Sequence, residues 1–104
     1  MRYAVADTGS NTIRLGIYDY EHGHLNQILN TAVFANLAGF IQDGILSPEG
    51  IRAAEDAILS HKQTAAEYGC CLNVFATAAI RNAKNTEEIC QEIKTHTGAT
   101  VHVL

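Results

Sequence analysis

The chain has 104 residues, 47% of them apolar and 17% charged, with a net charge of −4. This is the composition of one globular domain or a piece of one, not of a disordered chain. The acidic balance argues against non-specific binding to nucleic acid or anionic membranes, which needs a basic face. No apolar run approaches the roughly 20 residues that cross a bilayer, and no basic segment leads into a signal-like stretch. The expected location is cytoplasmic. An anionic small ligand stays compatible with the charge if an arginine, a helix N-terminus or a metal ion meets it locally. Cys70, Cys71 and Cys90 are odd in number and two are adjacent, so they read as buried free thiols rather than a disulfide or zinc set.

Arg2–Ala6 is a short apolar run, as expected of a buried central strand. Ile13, Leu15 and Ile17 alternate with Arg14, Gly16 and Tyr18, the period of a second strand. Glu21–His24 reads as a turn, and Leu25 to Ala35 as a third strand. Short connections make these three an antiparallel meander. Asn36 to Leu46, with Gly39, Gly44 and an exposed-looking Asp43, reads as loop. Ser47 followed by Pro48 predicts a helix start. Ile51, Ala54, Ile58, Ala65 and Tyr68 share one helical face, and Gly69 suits the position just past the end.

Cys71–Ala76 is a second buried-strand pattern. Asn85 with Glu88 three residues on predicts a capping box for a last helix, which Gly98 ends. Val101 and Val103 alternate with polar neighbours as a final strand. The order is β-β-β-α-β-α-β, an α/β chain with a mixed five-stranded sheet. Crossovers through the helices make the later strands parallel to a neighbour. The chain stops inside its last strand, which suggests a domain half.

Two segments carry candidate chemistry. Asp7-Thr8-Gly9-Ser10-Asn11-Thr12 joins the first two strands and is followed by Arg14. Gly9 permits close approach of a ligand, and successive amides of such a turn form an anion-binding nest. Ser10, Asn11 and Thr12 add polar donors. Asp7 suits a hydrated Mg²⁺, which takes one or two carboxylates. Taken alone, the same residues read first as a hairpin turn with Asp7 bonding its own backbone. The second segment is Ala76-Thr77-Ala78-Ala79-Ile80-Arg81-Asn82-Ala83-Lys84-Asn85. Thr77 is a candidate N-cap among small alanines, and Arg81 offers a fork of donors for phosphate oxygens. Taken alone, Arg81 is a solvated arginine. Both segments follow strands expected to be neighbours, and ligands of open sheets bind at such strand ends.

These residues resemble a known family. Asp7–Arg14 is similar to the D-x-G-S-N-[ST]-x-R phosphate loop of the exopolyphosphatase / guanosine pentaphosphate phosphohydrolase family, in the actin/hexokinase ATPase superfamily. Ala76–Asn85 resembles its A-T-[SA]-A-x-R-x-A-x-N segment, and Gly44-Ile45-Leu46-Ser47 resembles the start of its long helix. The likeness covers essentially the whole chain. It implies the first part, residues 1–104, of an N-terminal actin-like (ribonuclease H-like) ATPase domain, with strand order 3-2-1-4-5. It implies phosphate binding by Gly9, Ser10, Asn11, Thr12, Arg14 and Arg81, and a metal contact at Asp7. It implies Mg²⁺-dependent hydrolysis of phosphoanhydride bonds in polyphosphate or guanosine pentaphosphate, guanosine tetraphosphate being a related ligand, by a homodimeric full-length protein.

The departures are specific. The family's R-L-G-x-G-like stretch reads Asn36-Leu37-Ala38-Gly39-Phe40 here, so one phosphate-neutralising cation is missing. A charged hydrogen bond contributes about 1.5–3 kcal/mol, so binding is expected to weaken about tenfold or more. The family's catalytic glutamate is expected beyond Leu104. Glu87 and Glu88 read as first-turn residues favoured by the helix dipole, not as a base. The 104-residue chain alone is expected to be inactive. A non-catalytic nucleotide- or alarmone-binding regulatory module of the same fold is the alternative.

Overall fold

The computed structural model describes all 104 residues. Three strands open the chain: β1 (Arg2–Thr8), β2 (Thr12–Glu21) and β3 (His24–Phe34). A 3₁₀ turn (Leu37–Phe40) and a small hairpin, β4 (Ile41–Gln42) with β5 (Ile45–Leu46), lead to helix α1 (Pro48–Glu67). Then come β6 (Leu72–Ala76), the single turn α2 (Ala78–Arg81), α3 (Thr86–Thr97) and β7 (Val101–Val103). The sheet order is β3-β2-β1-β6-β7. This is the expected arrangement of five strands. The numbering moves because the stretch read as loop holds two further short strands, which pair with each other rather than with the main sheet.

The β1–β2 and β2–β3 pairs are antiparallel, and β6 runs parallel to both β1 and β7. His22 and Gly23 both have positive φ, as a two-residue type I′ hairpin turn requires. Asp43 and Gly44 repeat that geometry between β4 and β5.

Helix α1 starts and stops as its sequence dictates. The Ser47 hydroxyl accepts a hydrogen bond from the Gly50 amide at 3.1 Å, and Pro48 occupies the first helical position. At the other end Gly69 is left-handed, with φ of 76°. Its amide donates to Ala66 O and the Cys70 amide to Ala65 O, both at 3.0 Å. That pair of bonds is a Schellman closure.

The larger of two buried clusters joins a single face of the sheet to both longer helices; Ala4, Leu15, Ile17 and Ala65 form the smaller one. Ala6, Ile13, Val74 and Ala76 from the strands meet Ile51, Ala54 and Ile58 of α1 and Ile89 and Ile93 of α3. Period-2 alternation leaves the opposite face without a helix. Val5, Asp7, Arg14, Tyr18, Asn30 and Phe75 lie there around an open hollow. Buried on the helix side, His61 places Nε2 2.7 Å from Ile13 O and ties α1 to β2.

Three local expectations are not met. Asn85 precedes α3, but its side chain caps no helix amide. It is spent on another contact, described below. Thr77 likewise makes no side-chain cap. Its hydroxyl and amide both turn toward Thr8 O, at 3.5 and 3.2 Å, where β1 and β6 end side by side. The thiols differ as well: Cys71 is exposed, and only Cys70 and Cys90 are partly buried, with burial raising the pKa of each.

Candidate functional site at the strand ends

The β1–β2 turn is held by its neighbours. The Gly9 amide donates to Thr12 O at 3.0 Å and closes the turn. The Ala35 and Asn36 amides donate to Asn11 O, and the Ala38 amide to Ser10 O, all within 3.0 Å. The segment after β3 therefore straps the turn from behind through its carbonyl oxygens. The Ser10 and Asn11 amides donate to no acceptor within the protein. Two adjacent unspent N–H groups beside a glycine are what an anion nest consists of.

The second segment lies against the first. Thr8 pairs with Ala76 in the parallel β1–β6 ladder, so the turn and α2 leave the sheet at the same level. A cleft of about 240 Å³ lies between them, lined by Ser10, Ile41, Gly44, Ala78, Ala79, Asn82 and Ala83. Small residues dominate its wall, and no carboxylate lines it. Its β4–β5 side is held by residues 84 and 85. The Lys84 amide donates to Gly44 O at 2.7 Å, and the Lys84 stem lies across Gly44 where a side chain would otherwise stand. Asn85 then accepts from the Leu46 amide at 3.1 Å and donates to Leu46 O at 3.0 Å and to Glu88 at 2.8 Å. Thr86 completes the join by donating to Ile80 O and Ala83 O.

The expected site residues fall into three places. Gly9, Ser10, Asn11 and Thr12 form the turn and its exit. Asp7 and Arg14 face each other across the β1–β2 ladder on the helix-free face, both exposed. Arg14 reaches away from the turn and donates to Asn30 Oδ1 at 3.2 Å. Arg81 stands exposed at the end of α2, where it donates to Leu104 O at 3.3 Å. No ion pair engages Arg14, Arg81 or Asp7. Asn82 in the cleft wall and the Asn85 clamp carry no separate signal in the sequence, but both lie inside the Ala76–Asn85 segment.

Thr8 sits directly beneath the turn, fully buried, and its hydroxyl has no hydrogen-bond partner. A buried hydroxyl left unpaired costs about 1–3 kcal/mol. Thr8→Val, which keeps the shape and removes the oxygen, is therefore expected to stabilise the chain by about 1 kcal/mol or more. Urea denaturation of the two proteins measures this.

The fold is the α/β architecture of actin-like ATPases: a sheet with an antiparallel opening hairpin, a parallel continuation and a polar turn at the strand ends. The chain belongs to the Ppx/GppA phosphatase family, whose sequence model matches residues 16–104. Exopolyphosphatase 1 of Mycobacterium tuberculosis is 31% identical over the whole chain, which spans 31% of that relative's length. The crystal structure of the Aquifex aeolicus Ppx/GppA family member superposes with a TM-score of 0.91 at 31% identity, over the whole chain and 35% of its own. An exopolyphosphatase from Cytophaga hutchinsonii gives the same TM-score, 0.91, at 24% identity over 34% of its chain, a likeness of fold. The chain thus corresponds to about a third of the length of these relatives.

Proposed function

We propose that the chain is the phosphate-binding part of an exopolyphosphatase-like hydrolase acting on phosphoanhydride bonds of polyphosphate or guanosine pentaphosphate. The observation that carries this reading is the pair of unspent amides at Ser10 and Asn11, in a turn whose Ser10 shares a cleft of small residues with α2. A terminal phosphate needs donors at close range and little steric bulk around them. The Ser10 and Asn11 amides supply the donors, and Ala78, Ala79 and Gly44 supply the room.

Phosphoryl transfer depends on positioning and on neutralising charge over the equatorial oxygens. In this reading the turn amides orient the phosphate, and Arg81 offers two parallel donors to a phosphate oxygen pair. Arg14 adds positive charge on the helix-free face. Asp7 suits Mg²⁺: it is one exposed carboxylate with no protein cation bound to it, and Mg²⁺ takes few carboxylates and keeps its waters. The ion would supply further neutralisation of the anhydride oxygens. The cleft offers no carboxylate to serve as general base, so this chain binds and orients. It is expected to release no phosphate on its own.

A second reading, a nucleotide- or alarmone-binding regulatory module, is favoured by Asn36. That residue is left-handed, with φ of 52°, and its side-chain amide packs against Gly39 rather than projecting as a cation. Phosphate release by the full-length protein separates the two readings.

The binding claim is tested on the chain itself. A short polyphosphate is titrated with Mg²⁺ while backbone amide resonances are followed. Ser10 and Asn11 are expected to move furthest, with Ala78 and Ala79 next. Shifts confined to other regions, or none at millimolar ligand, would remove the phosphate reading.

A further inference from the structure

The chain carries 7 lysines and arginines, and all but one have a place. Arg2 donates to Tyr68 O, Arg14 to Asn30 and Arg81 to Leu104 O. The Lys62 ammonium donates to Thr97 O, and that of Lys94 to Gly98 O and Thr100. Arg52 lines the hollow between α1 and α3, beside Glu55 and His96. Lys84 is the exception. It is exposed, and its ammonium makes neither a hydrogen bond nor an ion pair.

The backbone of Lys84 is fixed nonetheless. Its amide donates to Gly44 O at 2.7 Å, and the next residue, Asn85, bonds both backbone groups of Leu46. Lys84 is thereby tied to the β4–β5 hairpin, whose Ile41 and Gly44 line the cleft. The stem follows the backbone. Gly44 is left-handed, with φ of 79°, and the Lys84 Cε, Cδ and Cγ lie 3.0, 3.2 and 3.2 Å from where its Cβ would stand. Any side chain at position 44 would push the stem away. The ammonium is one bond beyond Cε, so it lies beside a residue of the cleft wall. Asn82 and Ala83, just before Lys84, also line the cleft, and no carboxylate there claims the charge. A stem already laid on the hairpin loses less freedom when its ammonium meets a ligand.

We propose that Lys84 is a further phosphate-binding residue, and that it makes the cleft favour a chain of phosphates over a single one. This rests on the phosphate reading above. A phosphate held at the Ser10 and Asn11 amides leaves the rest of its chain to extend along the cleft, which Ser10 and Gly44 both line. Those further phosphates carry the charge that Lys84 meets, and a single phosphate at the turn does not reach it. The contact is charge on charge at an open rim, for which a mobile ammonium is enough. Asn36, whose amide donates to Asn11 O, puts no cation on the β3 side of the turn. Lys84 brings positive charge from the hairpin instead.

Tripolyphosphate and orthophosphate are titrated into the chain at one fixed Mg²⁺ concentration, with the Ser10 and Asn11 amide resonances as the readout. Lys84→Met keeps the stem on Gly44 and removes the charge, whereas Lys84→Arg keeps the charge. The ammonium has no partner to lose, so both variants are expected to melt with the unaltered chain. Lys84→Met is expected to bind tripolyphosphate about five- to tenfold more weakly at low salt, with the difference shrinking as salt is added. Lys84→Arg is expected to restore binding, and orthophosphate affinity is expected to be the same in all three proteins. Undiminished tripolyphosphate binding by Lys84→Met, or an equal loss for both ligands, would overturn the proposal while the Ser10 and Asn11 shifts still stand. Absence of those shifts in the unaltered chain would remove the phosphate reading and this proposal with it.

Discussion

Replacing Asn85 with alanine is expected to destabilise the fold by about 2–4 kcal/mol, as two buried backbone groups lose their partners. The Asn85 side chain acts as a piece of backbone: it accepts from the Leu46 amide and donates to Leu46 O. Leu46 is 1% exposed, so water does not replace those bonds. The Lys84 amide on Gly44 O would then be the one remaining hydrogen bond from residues 84 and 85 to the hairpin. Asn85→Asp keeps the acceptor but sets a negative oxygen against Leu46 O and Glu88, so it is expected to be no milder. Guanidinium unfolding of both variants gives the values. A loss below about 0.5 kcal/mol, typical of an exposed substitution, would show that the clamp carries no stability.

Removing the Arg81 guanidinium is expected to act on function instead. Arg81 is exposed, and its bonds to Leu104 O and Asn82 are long, at 3.3 and 3.5 Å. Arg81→Ala should therefore leave thermal stability nearly unchanged. In the full-length protein it is expected to lower kcat/KM for polyphosphate about ten- to a hundredfold, the equivalent of one or two charged hydrogen bonds. Arg81→Lys keeps the charge but loses the planar fork, and should recover only part of the activity. If both variants turn over polyphosphate at the unaltered rate, Arg81 does not contact the substrate.

These two residues differ in how visible they were beforehand. Arg81 and the turn residues Gly9–Thr12 stood out because phosphate chemistry needs glycines, small polar groups and arginines in particular order along the chain. Asn85 stood in the same motif and looked like a helix cap. Its actual partner, Leu46, is 39 residues away. A side-chain amide fits a helix cap and a strand-like backbone pair equally well, and local spacing cannot choose between them. Arg14 makes the same point. Alternation placed it correctly off the Ile13–Leu15–Ile17 face, but only the β2–β3 register shows that it reaches Asn30 and not the turn.

The short hairpin β4–β5 was hidden for a related reason. Strands of two residues have no detectable period, and this pair is held by Asp43–Gly44 turn geometry and by contacts from residues 84 and 85. The Glu55–His96 pair that joins α1 to α3 was equally silent. Each residue is an ordinary polar member of its helix, and their meeting follows from how α1 packs on α3.

The sequence by itself determined the order and type of the main elements, the caps of α1 at Ser47 and Gly69, and the family. These depend on interactions within a few residues or on motifs contiguous in the chain. Tertiary structure decided which donors remain unspent at Ser10 and Asn11, where Arg14 and Arg81 point, and what Asn85 and Glu55 touch. Those outcomes depend on partners tens of residues away, chosen when the sheet and helices bury a shared face and each polar group must find a neighbour in that arrangement.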